Sequence, residues 1–312
     1  METFRTSFCR PFNLVVETDG RGLLFNIPRE KSFDKLIMRL TREDGQEVTS
    51  CEINRNGRNY VSTSGLPDGE FSLEVYKFMG EANCLRGYFQ KNEVLVKISA
   101  GVPSFVESWC LRGNMAIAQQ FSHSRETIQQ LLSSEDAYPC HHPEIRNIAL
   151  AITKMENDDY GKLLAVHDWV AENVFYDRDS LRQDGSRVVA IEKSVVYALR
   201  TRRAVCKGYS DLAVSLLRAC GVPSVTLGCF ALGQSNTGGW EREENRVETP
   251  NHAFTVALIH NRYVLMDVTW DSDNEYSEGR YKHKTGLGKS RKYFDTSQEL
   301  FAATHRLLSP IS

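Results

Sequence analysis

The stretch that decides the fold is residues 204–211, with the sequence Ala-Val-Cys-Lys-Gly-Tyr-Ser-Asp. After it, apolar residues recur at spacings of three and four, which is typical of a helix with one buried face. They are Leu212, Ala213, Leu216, Leu217 and Cys220. Gly221 and Pro223 then end the predicted helix. Traced backward, the apolar stripe places Cys206 in the first turn, facing inward.

A cysteine at a helix start is a candidate nucleophile. The unpaired N–H groups and the helix dipole favour an anion there, and helix N-termini lower thiol pKa values. The alternative is that Cys206 is an inert core thiol, because free cysteine is among the most buried residue types. A nucleophilic thiol also needs a base and a group that orients the base. The interpretation therefore depends on finding a histidine and a carboxylate.

Residues 252–271 contain both a histidine and a carboxylate. They form two β-rich runs separated by a short polar break, which predicts a hairpin. If the loop has two residues, Ile259 faces Arg262. His252 and Asp267 then share one face as diagonal neighbours, about 7–8 Å apart between backbones. That distance is within reach of an imidazole–carboxylate hydrogen bond. A three-residue loop would put them on opposite faces, and Asp267 alone could equally be a strand-end or turn-capping aspartate.

With these residues in place, the sequence resembles the transglutaminase-like superfamily, the papain-like Cys-His-Asp enzymes. The motifs are Ala-Val-Cys-Lys-Gly-Tyr-Ser at 204–210, Asn-His-Ala-Phe at 251–254 and Tyr-Val-Leu-Met-Asp-Val-Thr-Trp-Asp at 263–271. Their order resembles the bacterial transglutaminase-like cysteine peptidases in particular. Residues 160–177 resemble the helix that precedes the core in this family. The resemblance covers roughly residues 145–309.

The resemblance implies an α+β fold, in which a helix carrying the cysteine packs on an antiparallel sheet carrying histidine and aspartate. It implies that Cys206 is the nucleophile, His252 the base and acid, and Asp267 the orienting group. The reaction would be acyl transfer from a peptide or other amide without a cofactor, with hydrolysis favoured over cross-linking. The alternative is a catalytically inactive protein of the same fold that binds a protein or peptide.

Three aromatic residues are further candidates for contact with a substrate. The N–H of Cys206 would bind the oxyanion with one more donor, for which Tyr197 is a candidate, although the sequence favours a packing role for it. Phe254 stands in the sequence Ala-Phe-Thr, where the family often has Ala-Trp-Asn, so the packing is expected to persist and the substrate contacts to differ. Trp240 lies in a long polar loop that could be a lid over the substrate or merely mobile.

Composition excludes several classes of partner. With 38 basic and 40 acidic residues, the chain lacks the charge excess of a protein that binds nucleic acid or anionic membranes. No apolar run approaches membrane-spanning length, and residues 1–20 lack the features of a signal peptide. The eight cysteines have no zinc-type spacing, so we expect no metal and a reducing, cytoplasmic compartment. A chain trimmed of a secretory leader would look the same.

The chain divides into two predicted domains. Residues 1–105 are predicted to form an all-β, sandwich-like domain, immunoglobulin-like in outline, with a hairpin turn at Asp44-Gly45 and another turn at residues 66–69. Residues 106–312 are predicted to hold a helical lead-in and the catalytic domain. Within the lead-in, His167 lies on an apolar helical stripe, which favours a core histidine over a catalytic one.

Overall fold

The computed structural model describes residues 2–5, 15–27, 35–42, 46–54, 57–78, 86–106, 109–118, 124–184, 187–190, 194–233, 240, 250–259, 262–296 and 298–308. The chain forms two compact units. The first comprises Met1–Ala116, Ala231–Glu248 and Ser297–Arg306, and the second comprises Ile117–Phe230, Thr249–Thr296 and Leu307–Ser312. The first unit therefore takes in two later segments of the chain besides its N-terminal part.

The N-terminal part of the first unit is built from antiparallel strands. They are β1 (Glu2–Arg5), β2 (Val15–Thr18), β3 (Gly22–Ile27), β4 (Lys35–Thr41), β5 (Glu47–Ile53), β6 (Gly57–Ser62), β7 (Gly69–Phe78), β8 (Arg86–Ser99) and β9 (Val102–Val106). They make one sheet in the order β1-β2-β3-β6 and another in the order β5-β4-β7-β8-β9.

The two sheets share one apolar core, because alternate residues of their strands point to the same side. Its fully buried members include Phe25 of β3, Met38 of β4, Phe71 of β7 and Val96 of β8. The predicted all-β, sandwich-like region is therefore present. The predicted turn at Asp44-Gly45 lies outside the described residues, but β4 and β5 on either side of it pair as a hairpin would require.

Helices and short strands alternate through the rest of the chain. They are α1 (Trp109–Ala118), α2 (Arg125–Gln130), α3 (Pro143–Ile152), α4 (Asp159–Asn173), β10 (Phe175–Asp177), a 3-10 turn (Arg178–Ser180), β11 (Leu181–Asp184), β12 (Arg187–Ala190), α5 (Val195–Thr201), β13 (Arg203–Ala204), α6 (Cys206–Ala219), β14 (Ser224–Ala231), β15 (His252–Ile259), β16 (Arg262–Met266), α7 (Val268–Asp271), β17 (Asn274–Ser277), β18 (Arg280–His283), α8 (Gln298–Thr304) and β19 (His305–Leu307). None of the described helices is long and apolar enough to cross a membrane.

Helix α6 is the centre of the second unit. It begins at Cys206, as predicted, but its burial is not confined to one face, because every residue from Tyr209 to Arg218 is buried. Several of the polar residues among them have partners within this unit. For example, Arg218 donates to the carbonyl oxygens of Ser224 and Ser133 at 2.9 and 2.8 Å. The apolar pattern did not predict burial of the polar face, because a polar residue that is buried with hydrogen-bond partners cannot be distinguished in sequence from an exposed one.

Strands β14, β15 and β16 form an antiparallel sheet against which α6 packs. Ile259 pairs with Arg262, so the predicted two-residue hairpin loop is confirmed. The second strand is shorter than predicted. It ends at Met266, and Asp267 caps the short helix α7. The β-rich composition of residues 263–271 hid this change, because a single helical turn carries no periodic signal.

A smaller mixed sheet has the order β13-β10-β17-β18. Strand β10 runs parallel to both β13 and β17, and β17 and β18 are antiparallel. The prediction of a helix over residues 160–177 is wrong at its end, since α4 stops at Asn173 and β10 follows. This sheet matters for the site because β13 leads directly into Cys206.

Candidate active site

Cys206 is the first residue of α6, and its thiol is free and half-buried. The preceding residue, Val205, is extended, with φ −91° and ψ 178°, and its carbonyl oxygen accepts the first helical hydrogen bond from the N–H of Tyr209 at 3.0 Å. The helix therefore gives the N–H groups of its first turn no acceptor. These donors and the helix dipole favour negative charge beside the thiol.

Three contacts fix the start of α6. Lys207 donates to Oδ2 of Asp211 at 2.6 Å, and the hydroxyl of Thr226 on β14 donates to the other carboxylate oxygen at 2.8 Å. Gly208 lets the helix pass close to β13, because a Cβ at this position would lie 2.9 Å from the Cβ of Ala204. Lys207 and Gly208 after the cysteine are therefore explained by an ion pair and by close packing on β13.

His252 and Asp267 form the predicted hydrogen bond. Nε2 of His252 lies 2.6 Å from Oδ2 of Asp267, whose side chain has no exposed surface. The other carboxylate oxygen accepts the N–H of Trp270 at 3.1 Å, and the N–H of Asp267 donates to the carbonyl oxygen of Tyr293 at 3.0 Å. Asp267 is therefore both the capping residue considered from the sequence and the partner of His252.

The His252 ring also hydrogen-bonds the side chain of Cys206. Burial of the ring lowers its pKa, but the charge of Asp267 and the hydrogen bonds to Asp267 and Cys206 outweigh burial and raise the pKa of His252 to about 10. The ring of Trp270 covers it at 5.3 Å between centroids. The arrangement can hold a proton on an imidazole placed between a thiol and a carboxylate.

A second histidine–aspartate pair lies in the same unit. His167 on α4 is fully buried, with Nδ1 3.0 Å from Oδ1 of Asp168 and Nε2 3.0 Å from Oδ2 of Asp271. Burial lowers its pKa, but the two carboxylates together raise the pKa of His167 above its ordinary value. The prediction that His167 is a satisfied core histidine is confirmed.

Helix α7 joins the two pairs. Asp267 is its N-cap, and Asp271 is its last residue. The backbone of Tyr293 contacts both aspartates, since its N–H donates to the Asp271 carboxylate at 3.0 and 3.2 Å and its carbonyl oxygen accepts the N–H of Asp267. The two aspartates therefore share the backbone of Tyr293 as a partner.

Two of the three predicted substrate contacts lie in the second unit. Tyr197 lies in the first turn of α5, where its N–H donates to Oγ of Ser194 at 3.2 Å. Phe254 is fully buried on β15, opposite Leu227. Its packing was expected, whereas contact with a substrate would require surface that this side chain does not expose.

Trp240 lies in the first unit. Its indole N–H donates to the carbonyl oxygen of Ala302 at 2.8 Å, and the guanidinium of Arg306 lies 5.7 Å from its ring centre. The residues of the predicted lid on either side of it, 234–239 and 241–249, lie outside the described residues. Its role over a substrate stays a prediction, as does that of Tyr197.

Sequence reasoning missed two residues near the thiol. Cys229 on β14 is buried directly opposite His252 in the sheet register, and burial, Asp267 and Cys206 raise its pKa. Tyr176 on β10 is close enough to Cys206 and Asp267 for their charges to raise its pKa. The sequence analysis placed Tyr176 at the end of the preceding helix. The β-type residues Val-Phe-Tyr after Asn173 could have indicated a strand there instead.

The site holds residue types that bind metals, but they are engaged with each other. The hydrogen bond between His252 and Asp267 engages Nε2 and Oδ2, which are also potential metal-ligand atoms. The imidazole ring also hydrogen-bonds the side chain of Cys206. The arrangement is that of a hydrogen-bonded series from thiol to imidazole to carboxylate.

Residues 146–268 match the sequence profile of the transglutaminase-like superfamily. Over this segment the chain is similar to that superfamily. The matched segment begins in α3 and ends just after Asp267, so it spans the cysteine, the histidine and the aspartate.

A curated relative and two solved structures are also similar. The kyphoscoliosis peptidase of Mus musculus is 25% identical over 116 residues, which are 37% of this chain and only 16% of that protein. The periplasmic domain of TgpA from Pseudomonas aeruginosa aligns at a TM-score of 0.36 and 13% identity, over 77% of this chain and 89% of that one. Red sea bream transglutaminase aligns at a TM-score of 0.37 and 8% identity, over 93% of this chain and 54% of that one. Superpositions this distant carry no argument about the site.

Proposed function

We propose that the protein is a transglutaminase-like thiol hydrolase that cleaves a peptide or another amide through an acyl-enzyme on Cys206. One observation carries the proposal: the His252 ring lies between the Cys206 thiol and the buried carboxylate of Asp267, hydrogen-bonded to both. A nucleophile, a base and an orienting group in this order are the parts that acyl transfer through a thiol requires.

In the first step, the thiolate of Cys206 attacks the carbonyl carbon of the amide. The C–S bond forms, and the carbonyl oxygen takes the negative charge. The C–N bond then breaks as protonated His252 gives its proton to the leaving amine. The raised pKa of His252, about 10, supports this role because the ring is protonated at neutral pH before the substrate is bound. The N–H groups at the start of α6 are placed to stabilise the oxyanion.

In the second step, water attacks the thioester. His252 is now neutral and can accept a proton from the water, after which the carboxylic acid leaves and the thiol is restored. The same acyl-enzyme could pass its acyl group to a primary amine, which is the cross-linking reaction. The name of the curated relative, a peptidase, supports hydrolysis as the main outcome for this chain.

The proposal can be tested without knowing the natural substrate. The protein is mixed with a p-nitrophenyl ester and then with a set of peptide amides, each with and without methylamine. We expect an acyl group on Cys206 by mass spectrometry, and free acid as the main product of the amides even when methylamine is present. The matched control is Cys206→Ala, which should form no acyl-enzyme.

Two results would overturn the proposal. If methylamine captures nearly all of the acyl group, the protein is an acyltransferase and hydrolysis is a side reaction. If neither ester nor amide acylates Cys206 although the thiol is accessible to iodoacetamide, the fold serves binding and not turnover.

A further inference from the structure

One face of the small mixed sheet β13-β10-β17-β18 is lined by charged side chains. Tyr176 on β10 lies beside Ala204 on β13. On its other side Tyr176 pairs with Glu275 on β17, which in turn pairs with Lys282 on β18. Residues directly opposite one another point to the same side of a sheet. We call this side, defined by Tyr176, Glu275 and Lys282, the charged face.

The charged face borders the candidate active site. Because Val205 is extended, Cys206 lies on the same side of the sheet as Ala204. Burial raises the pKa of Tyr176, and the charges of Cys206 and Asp267 raise it further, so both groups lie within electrostatic range of this face. A peptide bound at the thiol would therefore extend along these side chains.

Basic residues outweigh acidic ones on the charged face. Arg178 donates to Oε2 of Glu275 at 2.8 Å and lies 5.7 Å from the ring centre of Tyr176. Lys282 pairs with the other oxygen of that carboxylate at 3.3 Å. One glutamate thus serves two cations, so its negative charge is already neutralised. The side chains of Arg178 and Lys282 remain half-exposed, and a ligand can reach the face.

Lys284, directly after β18, is a cation of this face without an anion of its own. The charges that act on it are those of the face and the active site, namely Asp273, Glu275, Arg178 and Asp267. Among the described residues, its ammonium group forms no ion pair. Burial lowers the pKa of Lys284, and the carboxylates nearby do not make up for it. A carboxylate brought by a ligand would supply the missing partner.

The carboxylate of Asp273 is engaged elsewhere. Its Oδ1 accepts the N–H and the hydroxyl of Thr285 at 2.7 and 2.8 Å, and its Oδ2 accepts the N–H of Gly288 at 3.3 Å. The N–H of Lys284 donates to the carbonyl oxygen of Asp273 at 2.7 Å. These bonds fix the backbone of the turn that carries Lys284 and leave its ammonium group available.

We propose that the charged face binds a carboxylate of the peptide substrate through Lys284, so that the enzyme prefers acidic peptides. This inference rests on the proposed function and names its substrate class. Strand β18 is three strands away from β13, about 14 Å at the usual spacing, which an extended peptide covers in about four residues. The carboxylate therefore belongs to a side chain, or to a C-terminus, within about four residues of the scissile bond.

The test compares peptides that are capped at both ends and differ in one residue, glutamate or glutamine, placed at each position in turn. Mass spectrometry gives the cleavage site. We expect wild type to cleave the best-placed glutamate peptide about tenfold faster in kcat/KM than its glutamine partner, since a charge-assisted contact is worth about that factor. In Lys284→Gln the preference should fall below about twofold, and in Lys284→Glu it should reverse.

A further series separates the two sources of the carboxylate. These peptides contain glutamine and end in a free carboxylate instead of a cap. A preference for them over the capped glutamine peptides, lost in Lys284→Gln, would assign the site to a C-terminus. A preference confined to the glutamate peptides would assign it to a side chain. Either result supports the charged face as a carboxylate site.

The matched control is Lys154→Gln, which removes the same charge from the turn after α3, outside this sheet. We expect the wild-type preference in this variant. Alkylation of Cys206 by iodoacetamide should stay within a few-fold of the wild type in all of the lysine variants, because the substitutions leave the thiol and its histidine in place.

The outcomes separate this inference from the proposed function. Equal cleavage of all the peptides by wild type, or a preference that survives in Lys284→Gln, would overturn the inference and leave the acyl-enzyme on Cys206 standing. If no peptide acylates Cys206, the proposed function fails, and calorimetric titration of Cys206→Ala with the same peptides decides the inference. Tighter binding of a carboxylate peptide, lost when Lys284→Gln is added, would support it, whereas equal binding or none would overturn it.

Discussion

Two buried histidine–aspartate pairs lie in one unit of this protein, at opposite ends of the same short helix. His252 bonds Asp267 at the start of α7, and His167 bonds Asp271 at its end. Both imidazoles have raised pKa values, and the carboxylates near them are the cause in each case, working against burial. By sequence pattern, burial and charge, the two pairs are nearly alike.

The third partner distinguishes them. The free side of His252 meets the half-buried thiol of Cys206, whereas the free side of His167 meets the carboxylate of Asp168, itself paired with Arg291. A thiol can give up a proton and attack a carbonyl carbon, whereas a second carboxylate can only hold the histidine in its charged form. A histidine–aspartate pair is therefore not evidence of catalysis until its remaining neighbour is known.

The largest effect is expected from removing the proton donor of the first pair. In His252→Ala, amide turnover should fall by about 10⁴-fold or more, because the leaving amine has no acid and the thiol has no base. Single-turnover kinetics with excess enzyme would measure this. A fall of less than tenfold would mean that His252 is, like His167, a structural residue.

The orienting carboxylate should matter nearly as much. Asp267→Asn retains the side-chain shape but cannot hold the same imidazole tautomer, and we expect a loss of about 10³–10⁴-fold in kcat. The matched variant is Asp271→Asn at the other end of α7, for which a much smaller loss is expected. Equal losses in the two variants would show that Asp267 acts through the fold rather than on His252.

The second pair should affect stability instead. His167→Ala removes the imidazole from the buried carboxylate of Asp271, whereas the partly exposed Asp168 keeps Arg291, and we expect a loss of about 3–5 kcal/mol in the free energy of unfolding. Urea denaturation measures this directly. Little change in stability would contradict the buried ion pair of His167 and Asp271, and Asp271→Asn combined with His167→Ala should recover part of the loss.

Raising the pH should weaken both pairs. For His252, a folded-state pKa of about 10 lies above the ordinary 6.5, so the protonated ring stabilises the fold. That contribution is complete below pH 6.5 and is lost as the pH rises through about 10. The difference in stability between wild type and His252→Ala should therefore shrink over this interval, and a difference that grows would contradict it.

Much of the site could be predicted from the sequence, because its geometry depends on features that are local in the chain. The helix start at Cys206 and the two-residue loop between Ile259 and Arg262 are local features, and the loop length alone fixes which residues share a face. The fold of residues 146–268 likewise follows from motifs whose order matches a known superfamily.

The remainder depends on contacts distant in sequence. Nothing local says that Asp271 meets His167, 104 residues away, or that β10 lies beside β13 and brings Tyr176 toward the thiol. The apolar spacing of α4 also runs smoothly into Val174, so the change from helix to strand was invisible until the sheet was seen. Tertiary pairing overrode the local pattern at that point.

The central claim is that His252 activates Cys206 and no other thiol. The most direct measurement is alkylation by iodoacetamide at neutral pH, followed at each of the eight cysteines by mass spectrometry in wild type and His252→Ala. We expect Cys206 to react first and to lose its advantage in the variant, while Cys229, buried opposite His252, stays unlabelled in both. Labelling of Cys206 that is no faster than that of the other seven, or that is unchanged by His252→Ala, would contradict the account.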